Sequence, residues 1–167
     1  MPPKLYLLDD TLKKFLLTFL LLLTSGLVSG LVYLFSTTNF APEKTVIRYA
    51  GEQKQGNEDE FDIPETYPKP FSEMLLTTHT HLLGFAFIFF PVGLLFYCNS
   101  VLVGGWKLFL LVEPMLSILI TFSSLWAVRY LSPVFVYVTI TSGLLTYLSY
   151  FIMTGILFYE LAIRKPD

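Results

Sequence analysis

The chain has 167 residues, of which 54% are apolar, 17% aromatic and only 14% charged, with a formal net charge of −2. Soluble domains carry about 25% charged residues, so this composition excludes an ordinary soluble domain, and no nucleic-acid partner is expected. The single cysteine, Cys98, excludes an intrachain disulfide, and no Cys-x-x-Cys-His segment is present to attach a c-type haem.

The charges are segregated into the termini and one central stretch. They leave four apolar tracts, near Phe15–Phe35, Met74–Tyr97, Trp106–Val128 and Val134–Leu161. Each is long enough to cross a ~30 Å hydrocarbon layer as about 20 helical residues. Backbone polar groups cannot stay unpaired in lipid, and no alternating pattern suggests a barrel, so the tracts are read as helices. The expected fold is an all-α integral membrane four-helix bundle, a single membrane domain over residues 1–167.

The first tract follows Lys13 and Lys14 as a signal peptide would. Its apolar core is too long for an h-region and no A-x-A-like site follows, so it reads as a retained anchor. Within it Gly26 and Gly30 form Gly-x-x-x-Gly, with Ser25 and Ser29 beside them, a spacing that lets membrane helices approach closely.

Thr37–Ser72 is the one long hydrophilic segment. It carries Glu43, Glu52, Glu58, Asp59, Glu60, Asp62 and Glu65 against Lys44, Arg48, Lys54 and Lys69. Lys4, Lys13, Lys14, Lys107, Arg164 and Lys165 flank the other side. Positive-inside bias therefore predicts both termini in the cytoplasm and residues 37–72 as an external acidic loop, although Arg129 lies against the bias. Gln53–Glu60 is polar and free of apolar residues. Pro64, Pro68 and Pro70 predict an extended approach to the second tract, and Ser72 with Glu73 reads as its helix start.

The second tract opens on the chain's two histidines, in Thr78-His79-Thr80-His81. An ionisable pair at the edge of a membrane-length segment is costly and reads as functional by default. Residues two apart on an α-helix point about 200° away from each other. One chain therefore cannot use both as axial ligands to one haem: one histidine faces the bundle and the other a partner, or the local backbone is distorted. The functional readings for His79 and His81 are ligation of a b-type haem, a hydrogen bond to a quinone head group, or a metal contact. The plain reading is an interfacial pair bonded to loop carbonyls and lipid head groups. With only Glu73 nearby, His-x-His supplies too few ligands for a metal site of its own.

On the third tract Glu113, Ser117, Thr121 and Ser124 share a face. Glu113, near the cytoplasmic end of the span and followed by Pro114, reads as a proton-relay carboxylate or, more ordinarily, as a cap or partner for Lys107. Arg129 closes this tract at the external level assigned to the histidines. With Trp126, Tyr130 and Tyr137 it is a candidate to hold a haem propionate, a quinone oxygen or a lipid phosphate, against the plain reading of an Arg snorkelling among interfacial aromatics. Leu131-Ser132-Pro133 is a tight turn, which makes the last two helices antiparallel neighbours. On the fourth tract Thr139, Ser142, Gly143, Thr146, Ser149 and Tyr150 fall on one face. These stripes read as packing surfaces. No span carries a charge at mid-depth, which ranks a transport path last. Glu160 reads as a solvated helix-end charge.

Three stretches carry a resemblance. They are Thr78-His79-Thr80-His81-Leu82-Leu83-Gly84 with Ile88-Phe89-Phe90 and Gly93-Leu94-Leu95-Phe96; Ser124-Leu125-Trp126-Ala127-Val128-Arg129-Tyr130 with Pro133, Phe135 and Tyr137; and Gly143-Leu144 to Ser149. Together with Tyr49-Ala50-Gly51, the chain resembles a family of small uncharacterised bacterial membrane proteins with S-H-x-H-L-x-G and W-x-x-[KR]-Y-x-P-x-F-x-Y segments. Many members carry a Cys-x-x-Cys-His haem site in the loop before the second span. This chain departs from them there, having no cysteine in that loop. The resemblance implies a bacterial inner-membrane, multi-pass protein whose histidine-bearing core sits beside external electron carriers.

The expected function is that of a small membrane subunit of a respiratory electron-transfer complex, a subunit rather than an enzyme alone. It would contact a b-type haem or a quinol near the outer face through His79, His81, Arg129, Tyr130 and Tyr137. Its expected partners are other membrane subunits, lipid, and an external cytochrome docked on the acidic loop. The alternative is a non-catalytic structural or assembly subunit.

Overall fold

The computed structural model describes residues 4–52 and 65–164. Among these the regular structure is helical. α1 (Asp10–Thr38), α3 (Phe71–Tyr97), α4 (Gly105–Tyr130) and α5 (Val136–Phe158) are the long helices, and α2 (Pro42–Ala50) is short. Four helical segments, α1, α3, α4 and Pro133–Ile163, are long and apolar enough to cross a membrane, and they contain the four apolar tracts.

Local chemistry sets where each begins. α1 starts ahead of its apolar tract because the Asp9 carboxylate accepts the amide of Leu12 at 3.0 Å, with Asp10 in the first turn. It ends where Asn39 turns left-handed at φ 50°. α3 begins at Phe71, one residue before the expected start, with Pro70 extended at its N-cap and Lys69 paired to Glu73 at 3.5 Å. α5 follows a 3-10 turn at Pro133–Phe135 and widens into a π-turn at Tyr159–Ile163. Pro91 and Pro114 lie inside α3 and α4. Each lacks an N–H, so the carbonyl one turn earlier loses its helical donor.

The described part of the segment read as an external loop is not open. Residues 42–50 form α2, with Pro42 in the first turn, Glu43 beside it and Arg48 in the last turn. α2 packs on α4 and α5 and buries Thr45. Residues 53–64, which include most of the acidic stretch and Pro64, lie outside the described residues.

α4 and α5 share the most extensive contact, and α3 packs on both. Between them lie Phe89, Val92, Phe96, Ile118, Phe122, Tyr150, Met153 and Leu157, all buried. α1 leans on this trio through buried Leu20 and Leu27 and through Thr24, whose hydroxyl lies 3.1 Å from that of Tyr150. The Gly26-x-x-x-Gly30 face does not pack against other described residues. A Cβ at either glycine would meet nothing within 4 Å, and the hydroxyls of Ser25 and Ser29 turn back to carbonyls of their own helix.

At one end of the bundle the Leu5–Leu7 turn lies beside the π-turn, and the Arg164 guanidinium sits 4.6 Å from the Tyr6 ring. The described N- and C-terminal ends thus share a face, as four crossings require. Glu160 is here too, and the expectation of a solvated charge is wrong. It is fully buried, accepting the Ser100 amide at 3.1 and 3.0 Å and the Ser100 hydroxyl, to which Arg164 also donates at 2.9 Å. The loop after α3 folds over the helix end and replaces the water that a terminal carboxylate would otherwise hold.

Candidate functional site

The opposite end is closed by an aromatic stack. The Trp126 indole N–H donates to the Thr78 hydroxyl at 2.9 Å and so ties α4 to α3. Phe71 meets the Trp126 ring edge-on at 5.2 Å, and Tyr130 stacks on its other side at 5.6 Å and 24°. Arg129 lies 4.9 Å from the Tyr130 ring, and its Nε donates to the Lys69 carbonyl at 3.0 Å. Half-buried Arg129 therefore locks the segment leading into α3 onto the end of α4.

One turn inward stands His81. Its Nδ1 is 2.8 Å from the Thr77 carbonyl. A carbonyl oxygen only accepts, so Nδ1 carries the proton and donates, and in the neutral ring Nε2 keeps its lone pair. The imidazole lies 5.3 Å from the Phe122 ring and 6.4 Å from that of Phe85. Thr80, His81, Gly84 and Phe85 line an open groove of about 180 Å³. A Cβ at Gly84 would meet nothing within 4 Å, so the groove is open on that side.

His79 is exposed and has no hydrogen bond among the described residues. His81 is exposed as well, but the two rings diverge as helical geometry expects, that of His81 lying 5.3 Å from the ring of Phe122 on α4. The expectation that the histidines and Arg129 share one depth is corrected for His81. It is level with Phe122, two turns or about 10 Å of helix rise inward of Arg129. Tyr137 is exposed at 62%, and no hydrogen bond or ring pair joins it to the Arg129–Tyr130 stack among the described residues. Nor do three or more His, Cys, Asp or Glu side chains gather as a metal-binding group among the described residues.

The seam between α4 and α5 holds the polar stripes. Thr121 and Ser142 hydroxyls pair at 2.7 Å, as do those of Ser124 and Thr139. Glu113 sits in the same seam, buried, with its two carboxylate oxygens accepting from Ser117 and Ser149. It does not pair with Lys107, whose ammonium donates instead to the Asn99 carbonyl at 2.8 Å. The ordinary expectation for Glu113 is thereby corrected.

Three participants escaped sequence reasoning. Thr77 lies one helical turn before His81, the spacing at which a ring nitrogen reaches a carbonyl, so that signal was available. Gly84 was visible only as part of the resemblance. Phe122 carried no signal, since nothing in a run of apolar residues says which one meets the imidazole.

No curated protein and no solved structure matches the chain. A family model described as a transmembrane helical domain does match, over residues 39–167, which takes in α2 to α5. With four membrane-length helices and that match over most of its length, the chain is a multi-pass membrane protein and belongs to the Aq_1264_TM family of transmembrane helical domains.

Proposed function

We propose that this protein is a small subunit of a respiratory electron-transfer complex in a bacterial inner membrane, and that His81 meets a quinol head group entering from the lipid. The observation that carries the reading is the Nδ1–H bond from His81 to the Thr77 carbonyl, which fixes the ring's tautomer and leaves Nε2 as an acceptor beside an open groove. A backbone carbonyl behind the ring is what holds a functional imidazole in one orientation. The quinol hydroxyl would donate to Nε2, which takes up its proton as electrons pass to a redox carrier held by a partner subunit.

A groove of about 180 Å³ admits a single ring, being smaller than the ~300 Å³ at which drug-sized pockets begin. A b-type haem on the same Nε2 would need a facing subunit to complete its cavity. Arg129 and Tyr130, two turns further out, fit contacts with lipid phosphate or with carboxylates of an external partner such as a cytochrome. Exposed His79 and Tyr137 lie where lipid or another membrane subunit would cover them.

The test is purification in mild detergent, followed by quinone analysis of the extracted lipid and reduced-minus-oxidised spectra. Co-purified quinone that is lost in His81→Ala and kept in His79→Ala is the expected result. Haem bands lost in His81→Ala would move the reading to a shared haem. If neither cofactor is found and the host complex is indifferent to both variants, the protein is a structural or assembly subunit.

A further inference from the structure

We propose that Glu113, held by Ser117 and Ser149, is a proton-binding site within the membrane-spanning part of α4. The inference stands independently of what His81 binds. Glu113 is eight residues, about 12 Å of helix rise, inside the start of α4 and is only 9% exposed. A carboxylate at that depth is costly, and packing alone gives no reason for one: the serines and threonines of the seam already allow close approach of the helices.

No cation stands against it among the described residues. On α4, Lys107 is engaged with Asn99 at the helix start, and Arg129 is bonded to Lys69 at the far end. The titratable residues of α5 are Tyr137, Tyr147 and Tyr150, and the last shares a hydrogen bond with Thr24 of α1. α3 has none between His81 and Tyr97. α2, with its charges, packs against α4 and α5 from the external segment.

The partners of Glu113 are instead two hydroxyls, one on each oxygen. A hydroxyl donates or accepts by rotating. The carboxylate takes two donated bonds. After it gains a proton, the new O–H donates to one serine oxygen while the other serine goes on donating. The site accepts both charge states without moving a heavy atom, which a lysine partner would not allow. One carboxylate and two hydroxyls also offer few oxygens for a hard metal cation, which takes six or more. A proton is the ligand that fits.

Toward the other end of the seam the Thr121–Ser142 and Ser124–Thr139 pairs follow at successive turns, with Thr146 between Ser142 and Ser149. These hydroxyls bond within their pairs and to backbone carbonyls, and among the described residues none of them is bonded to the Ser117 or Ser149 hydroxyl, so the carboxylate and its two serines form a separate unit. On the other side Pro114 leaves the Leu110 carbonyl without its helical donor, one turn toward Lys107.

The experiment is infrared difference spectroscopy of the full chain in lipid vesicles, stepped in pH. A protonated-carboxyl band should grow on acidification, disappear in Glu113→Gln, and shift in frequency in Ser149→Ala. Thr121→Val, at a hydroxyl not bonded to the carboxylate or its serines, should leave the band where it is. A band absent or constant across the pH range in which helix content is unchanged overturns the proposal. So does a change driven by sodium at fixed pH, which would mark a cation site. If Glu113→Gln fails to fold, an unshifted band in Ser149→Ala overturns it equally.

Discussion

The Trp126 indole donates to the Thr78 hydroxyl, and Thr78 in turn donates to the Met74 carbonyl at 2.8 Å. This relay fixes the register of α4 against the turn of α3 that bears both histidines. Trp126→Phe keeps an aromatic ring beside Phe71 and Tyr130 but removes the donor. Interhelical bonds in membranes couple by about 0.6 kcal/mol on average. A double-mutant cycle of Trp126→Phe with Thr78→Val, read by unfolding in mixed micelles, should return a coupling of roughly that size. Strict additivity would mean that the bond does not hold the register.

Glu160 gives a larger effect. Its carboxylate is fully buried and accepts the Ser100 amide, so Glu160→Ala leaves that N–H without its acceptor. An orphaned buried donor costs about 1–3 kcal/mol. Glu160→Gln keeps one acceptor oxygen and should lose less. Amide exchange at Ser100 is the local readout: it should speed up strongly in the alanine variant and mildly in the glutamine variant.

That residue also shows where sequence reading stops. A glutamate near the chain end, followed by Arg164 and Lys165, has the pattern of a solvated terminus, and nothing local says that the 99–104 loop will fold over it. The four spans were legible because an apolar run of membrane length has one solution for its backbone. The divergence of His79 and His81 followed from the helical period alone. The depth of His81 did not, because it depends on the register between α3 and α4, which is set by Trp126 and Thr78 from different helices. α2 was missed although its nine residues are strongly amphipathic and Pro42, Glu43 and Arg48 mark its ends, because the segment was read by its charges alone. The Gly26/Gly30 spacing was real but faces away from the other described residues.

Gly51 joins α2 to the approach of α3 at φ +80°, and a Cβ there would lie 2.7 Å from both the nitrogen and Cδ of Pro68. Gly51→Ala is thus strained by its backbone and blocked by a ring that cannot rotate away. A loss of about 1–3 kcal/mol is expected from the backbone strain alone. It should appear as faster exchange of the Glu52 and Lys69 amides, which bond to Thr66 and Tyr49 across this junction. Unchanged exchange at both would show that the junction yields without cost.

Tyr49 makes the same junction sensitive to alkali. Burial pushes its phenol above the ordinary value of 10.0, with neighbouring Arg48 opposing the shift. The folded state therefore holds the phenolic proton more tightly than the unfolded chain does. Its contribution is fully present below the unfolded pKa, near 10.0, and is lost as the pH rises from there through the folded pKa. Tyr49→Phe has no proton to lose, so its unfolding midpoint should fall less steeply on the alkaline limb than that of the parent chain. The Lys69 ammonium lies 5.5 Å from the Tyr49 ring. The difference that Tyr49→Phe makes should persist in a Lys69→Gln background, and its disappearance there would mean that the buried phenol is not the source of the alkaline loss.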